Sequence, residues 1–328
     1  MRSEIKVLPE DFLERLQKIL PAGKFDSIAN TFSEEKPTTF RINLLKADSV
    51  EAVREKLKQQ GFEVGSVPWY SQALILQNNR LRELQETSVY KDGEIYVQSL
   101  SSMIPPLVLD PKPGETILDL AAAPGSKTTQ IAAMMKGNGR LVAVDNNRIR
   151  FFKLKANLDM QGAKNVEAML CYGESIGRKY PDFFDKVLLD APCSSEGRFN
   201  AREPATYKYW KLRKVEEMQR KQKKLFYSAF SALKPGGLMV YSTCTFAPEE
   251  NEAILDWAME KFGGAIDIET IRELSSQSIT NQMAGLASWE GKLFHAAVRK
   301  SVRIIPNAQM EGFFVARIRK TRTTLHEL

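Results

Sequence analysis

From Glu115 onward, short apolar runs alternate with segments patterned as helices. The runs ETILDL, LVAVD, VEAML, DKVLLD and GLMVYST are separated by the helix-like TTQIAAMM and IRFFKLKANLDMQG and by a long stripe from Val215 to Leu233. Five apolar strands alternating with helices predict an α/β unit with a mostly parallel, doubly wound sheet. Two late segments, Leu293–Ile305 and GFFVARIRK, predict a terminal antiparallel strand pair at one edge.

A smaller unit precedes this one. Phe12, Leu16, Ile19 and Leu20 mark one or two amphipathic helices over residues 9–32. TTFRINLLK then reads as a strand, SVEAVREKLKQQG as a helix ending at Gly61, and Ala73–Gln77 and Glu94–Val97 as further strands. This order suggests a small α+β module. Pro105, Pro106 and Pro111 mark the change of unit near Ser99–Pro111. We therefore divide the chain into an N-terminal helical plus α+β module (1–98), an α/β domain (99–320) and a short tail (321–328).

Composition excludes several classes. With 43% hydrophobic and 27% charged residues, the chain reads as folded and soluble. No run approaches the roughly 18–20 apolar residues that span a bilayer, and residues 1–30 lack a secretory signal pattern. We expect a cytoplasmic monomer with no membrane partner. Three cysteines, two histidines and no CxxC provide neither a disulfide framework nor a zinc site, so no metal is expected.

Two of those cysteines close strands: Cys193 follows KVLLDAP and Cys244 follows GLMVYST. Open α/β sheets bind ligands outside the carboxyl ends of their strands, where a thiolate is placed to attack. A single strand-end cysteine is more often a small buried hydrophobe; a pair on neighbouring strands is harder to read that way. The loop Ala121, Ala122, Ala123, Pro124, Gly125, Ser126, Lys127 joins the first strand to its helix, and its small residues let backbone approach a ligand. Asp145 ends the second strand, where a carboxylate can take both ribose hydroxyls of an adenosine, although capping the helix near Asn147 would explain it equally well.

Charge is concentrated. Between Arg198 and Lys224 ten Lys and Arg face three Glu, an excess of seven that equals the net charge of the whole chain, +7. RFNAREPATYKYWKLRK mixes these cations with Tyr207, Tyr209 and Trp210, a combination suited to an unpaired nucleic-acid strand. A second basic cluster comprises Arg299, Lys300, Arg303, Arg317, Arg319, Lys320 and Arg322.

In order and spacing, ILDLAAAPGSKTTQIA, LLDAPCSSEG, LKPGGLMVYSTCT and PEENEAI resemble the RNA cytosine 5-methyltransferases of the Nol1/Nop2/Sun family. PTTFRINLLK, YKDGEIYVQSLSSM and GFFVARIRK do the same, so the likeness covers about residues 37–262 and the final strand. It implies a Rossmann-like class I methyltransferase fold, S-adenosylmethionine as donor and a cytosine in RNA as acceptor. It also implies Cys244 as the nucleophile, Cys193 as the group assisting release, Asp190 against the base or the donor amine, and Lys127 near the cytosine or a phosphate. Glu249, Glu250 and Asn251 match the family's Glu-Asn-Glu region. One departure is Tyr172, which stands where an adenine-binding Asp is expected; Cys171 beside it is read as structural.

A nucleophilic thiol should have a lowered pKa, and a helix opened by Pro248 would place its positive end near Cys244. After GFFVARIRK only eight residues follow, which leaves target selection to the N-terminal module and the basic helix. The wording of the loops favours ribosomal RNA over transfer RNA. A non-catalytic RNA-binding assembly factor and a DNA cytosine methyltransferase are the competing readings; the first is disfavoured by the joint presence of both thiols, Asp190 and the loop, the second by the extra STC cysteine.

Overall fold

A computed structural model describes residues 7–78, 80–275 and 279–324. The last four residues of the expected tail, 325–328, lie outside them. Near the N-terminus, strands β1 (Thr39–Ile42), β2 (Val64–Ser66), β3 (Ala73–Leu76) and β4 (Ile95–Val97) form an antiparallel sheet in the order β2-β3-β1-β4. The helix Val50–Gln59, capped by the Ser49 hydroxyl, buries Val53 and Leu57 in its core. The short β2 carries too little apolar pattern to be read from sequence.

The large sheet holds β5 (Thr116–Asp119), β6 (Arg140–Asp145), β7 (Val166–Leu170), β8 (Phe184–Asp190) and β9 (Leu233–Thr243), mutually parallel in the order β9-β8-β5-β6-β7. The order of strand addition reverses between β5 and β8, which opens a crevice at their carboxyl ends. Beyond them come β10 (Ile266–Glu269), β11 (Gln282–Ala284), a separate two-strand ribbon of β12 (Ser288–Trp289) and β13 (Lys292–Leu293), then β14 (Val302–Ile304) and β15 (Phe313–Lys320). Strand β15 runs antiparallel to β9, and β14 and β10 pair with its two ends. The sheet thus has the Rossmann-like architecture that the resemblance implies, with its terminal antiparallel pair. Among the described residues no helix is long and apolar enough to cross a membrane.

Three elements depart from expectation. The proline-rich segment read as a change of unit contains a buried helix, Leu100–Leu109, with Pro105 and Pro106 inside it. Pro106 deprives the Ser102 carbonyl of its helical donor, and the Gln98 side chain supplies one at 3.0 Å. The helix Glu10–Ile19 packs on residues 199–215 and Phe246, not on the small sheet: Phe12 meets Phe199 and Trp210 edge to face at 4.8 and 6.0 Å. Tyr207 and Trp210 are therefore buried in that apolar contact, and of the three expected stacking rings only Tyr209 is exposed, at 78%. Finally, the C-terminal basic cluster is divided: Arg299, Lys300 and Arg322 are exposed, and the other four are buried or half-buried against acids. Arg303 is buried against Glu252 at 2.5 Å, Lys320 against Asp182 at 2.5 Å, and Arg317 and Arg319 share Glu269.

Candidate active site at the strand ends

Cys193 and Cys244 follow adjacent parallel strands, and their sulfurs lie 3.4 Å apart as free thiols. Ser195, held at a positive φ of 62°, brings its hydroxyl to 3.6 Å from Cys244 and 3.9 Å from Cys193. The next turn is locked to the Cys244 backbone by the Gly197 amide donating to the Cys244 carbonyl at 2.9 Å. A Cβ on Gly197 would sit 2.2 Å from the Gly312 carbonyl oxygen, so only glycine fits this crossing.

The two thiols do not titrate alike. The Cys193 S–H donates to Cys244, which lowers the Cys244 pKa, and the Arg198 guanidinium and the Ser195 hydroxyl add to the lowering. Cys193 is raised well above the ordinary thiol value by that same contact, by burial and by nearby Glu250. The helix expected to lower Cys244 begins only at Glu252, after a turn from Pro248, so the cause is a neighbouring thiol and a cation instead of a helix end.

Asp190 ends β8 and is held on both oxygens: Ser242 Oγ donates to one at 2.7 Å and Lys127 Nζ pairs with the other at 2.7 Å. Lys127 is buried, donates also to Ser102 Oγ at 2.7 Å, and lies 5.8 Å from the Phe313 ring centroid. Asp119 lies beneath, receiving a 2.7 Å hydrogen bond from Thr128, with its pKa pushed up to about 7 by burial. Glu250 accepts from the Ser194 amide at 3.0 Å and from Gln222 Nε2 at 2.8 Å, and Gln222 also donates to the Pro192 carbonyl at 2.9 Å. This clamp sets the Cys193 loop; burial pushes the Glu250 carboxyl up to about 8.

Two cavities meet at these residues. One, about 290 Å³, is lined by Ala121, Ala123, Asp145, Glu174, Asp190 and both thiols, among others. The other, about 360 Å³, lies between the two units and is lined by Gln98, Ser102, Lys127, Asp190, Arg198, Phe313 and Cys244, among others. Cys244 lines both; Cys193 lines only the first. Asp145 accepts from the Ala123 amide at 3.2 Å and the Asn147 amide at 2.9 Å, while the Asn147 side chain itself caps the following helix through the Arg150 amide. Capping therefore does not account for Asp145.

The loop residues divide. Ala121 and Ala123 line both cavities, whereas Ala122, Pro124, Ser126 and Lys127 line only the second. Gly125 lines neither: a Cβ there would meet Leu154 at 2.9 Å, so it serves the packing of two helices. Lys127 thus stands on the side away from the first cavity. Tyr172 is 69% exposed and lines neither cavity, whereas Gly173 and Glu174 line the first. The first cavity nevertheless suits S-adenosylmethionine, because it joins a ribose-height carboxylate, Asp145, to a carboxylate oxygen of Glu174 that has no hydrogen-bond partner. Sequence reading placed Arg198 only in the basic segment, not beside the thiols, and missed Glu174, Asp119, Gln98 and Phe313; a cation five residues beyond Cys193 and a ring at the start of the final strand were the available signals.

Residues 106–319 match the family described as 16S rRNA methyltransferase RsmB/F, and residues 8–100 match the N-terminal domain of 16S rRNA methyltransferase RsmF. Ribosomal RNA small subunit methyltransferase F of Vibrio campbellii is 41% identical over 321 residues, spanning 95% of this chain and 63% of that protein. The chain thus spans somewhat less than two thirds of that relative's length. The tRNA (cytosine(49)-C(5))-methyltransferase of Pyrococcus abyssi is 38% identical, spanning 98% of this chain and 99% of that protein. Among solved structures, a methyltransferase homolog protein from Pyrococcus horikoshii superposes with a TM-score of 0.78 at 30% identity, over 95% of this chain and 100% of that one. On its fold, its paired thiols and these matches, the chain belongs to the RsmB/F family of 16S rRNA methyltransferases.

Proposed function

We propose that this chain methylates carbon 5 of a cytosine in RNA through a transient bond from Cys244, with Cys193 assisting release. The observation that carries the reading is the position of Cys244 on the wall shared by both cavities, 3.4 Å from a second thiol. S-adenosylmethionine, held along Asp145, Ala121 and Glu174, supplies an electrophilic methyl group. The base enters the second cavity, where Lys127, Asp190 and Phe313 orient it.

Carbon 5 of cytosine is too weak a nucleophile to take the methyl unaided. Cys244 Sγ adds to carbon 6, and the electron pair released makes carbon 5 nucleophilic. Arg198 and the Cys193 S–H favour the thiolate that begins this step. Carbon 5 takes the methyl and displaces the neutral thioether product; the carbon 5 proton then passes to water, and the electron pair it leaves expels Cys244 as a thiolate by breaking the carbon 6–sulfur bond. Cys193, whose pKa is raised, holds a proton at the distance needed to serve the departing sulfur.

Exposed cations on the helix Leu212–Ala232, with Tyr209 and the Lys208 ammonium 4.8 Å from its ring centroid, offer an approach for the strand. We favour small-subunit ribosomal RNA as the target. The near-complete overlap with the Pyrococcus relative supports transfer RNA as a second reading. Bisulfite sequencing of ribosomal and transfer RNA from cells with and without the gene separates them. In the same background, Cys244→Ala should lose the mark, and Cys193→Ala should leave an RNA adduct that survives a denaturing gel. Turnover retained by Cys244→Ala would refute the assignment of the nucleophile.

A further inference from the structure

The cavity assigned to the cofactor has two chemically distinct ends. The thiols and Asp190 follow β8 and β9, Asp145 follows β6 in the middle, and Glu174 follows β7, the edge strand farthest from the thiols. The turn carrying Glu174 is firmly built. The Tyr172 carbonyl accepts from the Ser175 amide at 3.1 Å and its hydroxyl at 2.8 Å, and the Gly173 carbonyl accepts from Ser228 Oγ at 2.6 Å. Ser228 Oγ in turn accepts from the Gly177 amide at 2.9 Å. A Cβ on residue 173 would stand 2.8 Å from Leu225 Cδ2 and 3.2 Å from the Leu120 carbonyl oxygen, so the turn lies tight against the long helix and the first strand.

This anchoring fixes which neighbour meets the cavity. Tyr172 is 69% exposed, while Glu174 lines the wall. Its Oε2 is buried with no hydrogen-bond partner. A carboxylate oxygen withdrawn from water without a donor is costly, and a ligand N–H at this point removes the cost.

We infer that Glu174 accepts a hydrogen bond from the 6-amino group of the cofactor's adenine, the part the sequence pattern left to Tyr172. This rests on the cofactor reading above. With the methyl directed to Cys244 and the ribose at Asp145, the base extends towards β7, and Pro192 and Leu225 supply apolar surface for its ring. An ionised carboxylate only accepts, and the 6-amino group donates. A hypoxanthine ring, bearing a 6-oxo group, sets acceptor against acceptor.

The test is calorimetric binding of S-adenosylhomocysteine and S-inosylhomocysteine to the wild type and to Glu174→Gln, Glu174→Ala and Tyr172→Ala. Wild type should prefer the adenosine compound by about 10- to 100-fold, the range expected for a hydrogen bond to a charged group. Glu174→Gln, able to donate to the 6-oxo group, should narrow that preference to about 3-fold or less. Glu174→Ala should lose affinity for the adenosine compound while binding the inosine compound at least as tightly as wild type does, a pattern misfolding cannot produce. Tyr172→Ala should keep the full preference. Undiminished discrimination in both Glu174 variants, or its loss in Tyr172→Ala, overturns the inference, whereas a wild type that binds neither compound removes the cofactor reading itself.

Discussion

Replacing Glu250 by Gln tests whether the clamp behind the Cys193 loop is a neutral acid. Glu250 accepts from the Ser194 amide and from Gln222, its other oxygen has no partner, and burial raises its pKa from 4.5 to about 8. Between these values the folded protein holds a proton that the unfolded chain has released, so stability falls as pH rises from about 4.5 to about 8 and levels off above that. At about 1.4 kcal/mol per unit, the part of this loss lying between pH 5 and pH 9 is on the order of 4 kcal/mol. Gln keeps the acceptor for Ser194 and carries no charge at any pH. Urea unfolding in reducing buffer should therefore show Glu250→Gln gaining on wild type by about 4 kcal/mol between pH 5 and pH 9. Asp119, raised to about 7, contributes its own loss to both proteins and cancels in the comparison. Stability curves parallel to within about 1 kcal/mol would mean that Glu250 is ionised in the folded protein and would refute the argument.

Other consequences are measurable in the same preparation. Alkylation of Cys244 followed against pH should have its midpoint below 9, and Cys193→Ala should move that midpoint upward, because the Cys193 hydrogen bond is the largest cause of the lowering. An unmoved midpoint would assign the effect to Arg198 and Ser195. Arg303→Ala leaves Glu252 buried without its 2.5 Å partner and should cost about 3–5 kcal/mol in chemical denaturation. Gly197→Ala forces a Cβ to within 2.2 Å of the Gly312 carbonyl and should abolish methyl transfer while leaving the far-UV circular dichroism spectrum intact.

The parallel strands were legible because each is a compact apolar run bounded by turn residues: VEAML is β7 to the residue, and LVAVD is β6 short of one. The Leu100–Leu109 helix was not, since two prolines break the local rule and the repair comes from Gln98, outside the helix. Tyr207 and Trp210 misled for a related reason. A ring in a basic segment reads as a stacking surface, and only the docking of Phe12 from a distant helix makes it core. The thiol pair could be suspected from strand ends, but not the 3.4 Å separation, which depends on the register of β8 and β9. Arg198 and Glu174 escaped because their roles come from turns that no periodicity marks.

The charges around the thiols follow one economy. Two thiolates 3.4 Å apart would repel strongly in a buried site, so at most one sulfur ionises. The surroundings decide which. Cys193 keeps its proton through its hydrogen bond to Cys244 and its burial, and Glu250, once ionised above about pH 8, opposes a thiolate there as well. Near Cys244 stand Arg198 and the Ser195 hydroxyl. Asp190 would oppose a thiolate there, yet its charge is matched by Lys127 at 2.7 Å. Releasing Lys127 should therefore shift the thiol: Lys127→Met leaves the Asp190 charge uncompensated, and the alkylation midpoint of Cys244 should rise. A midpoint that stayed in place or fell would mean that Lys127 acts only on the base and not on the nucleophile.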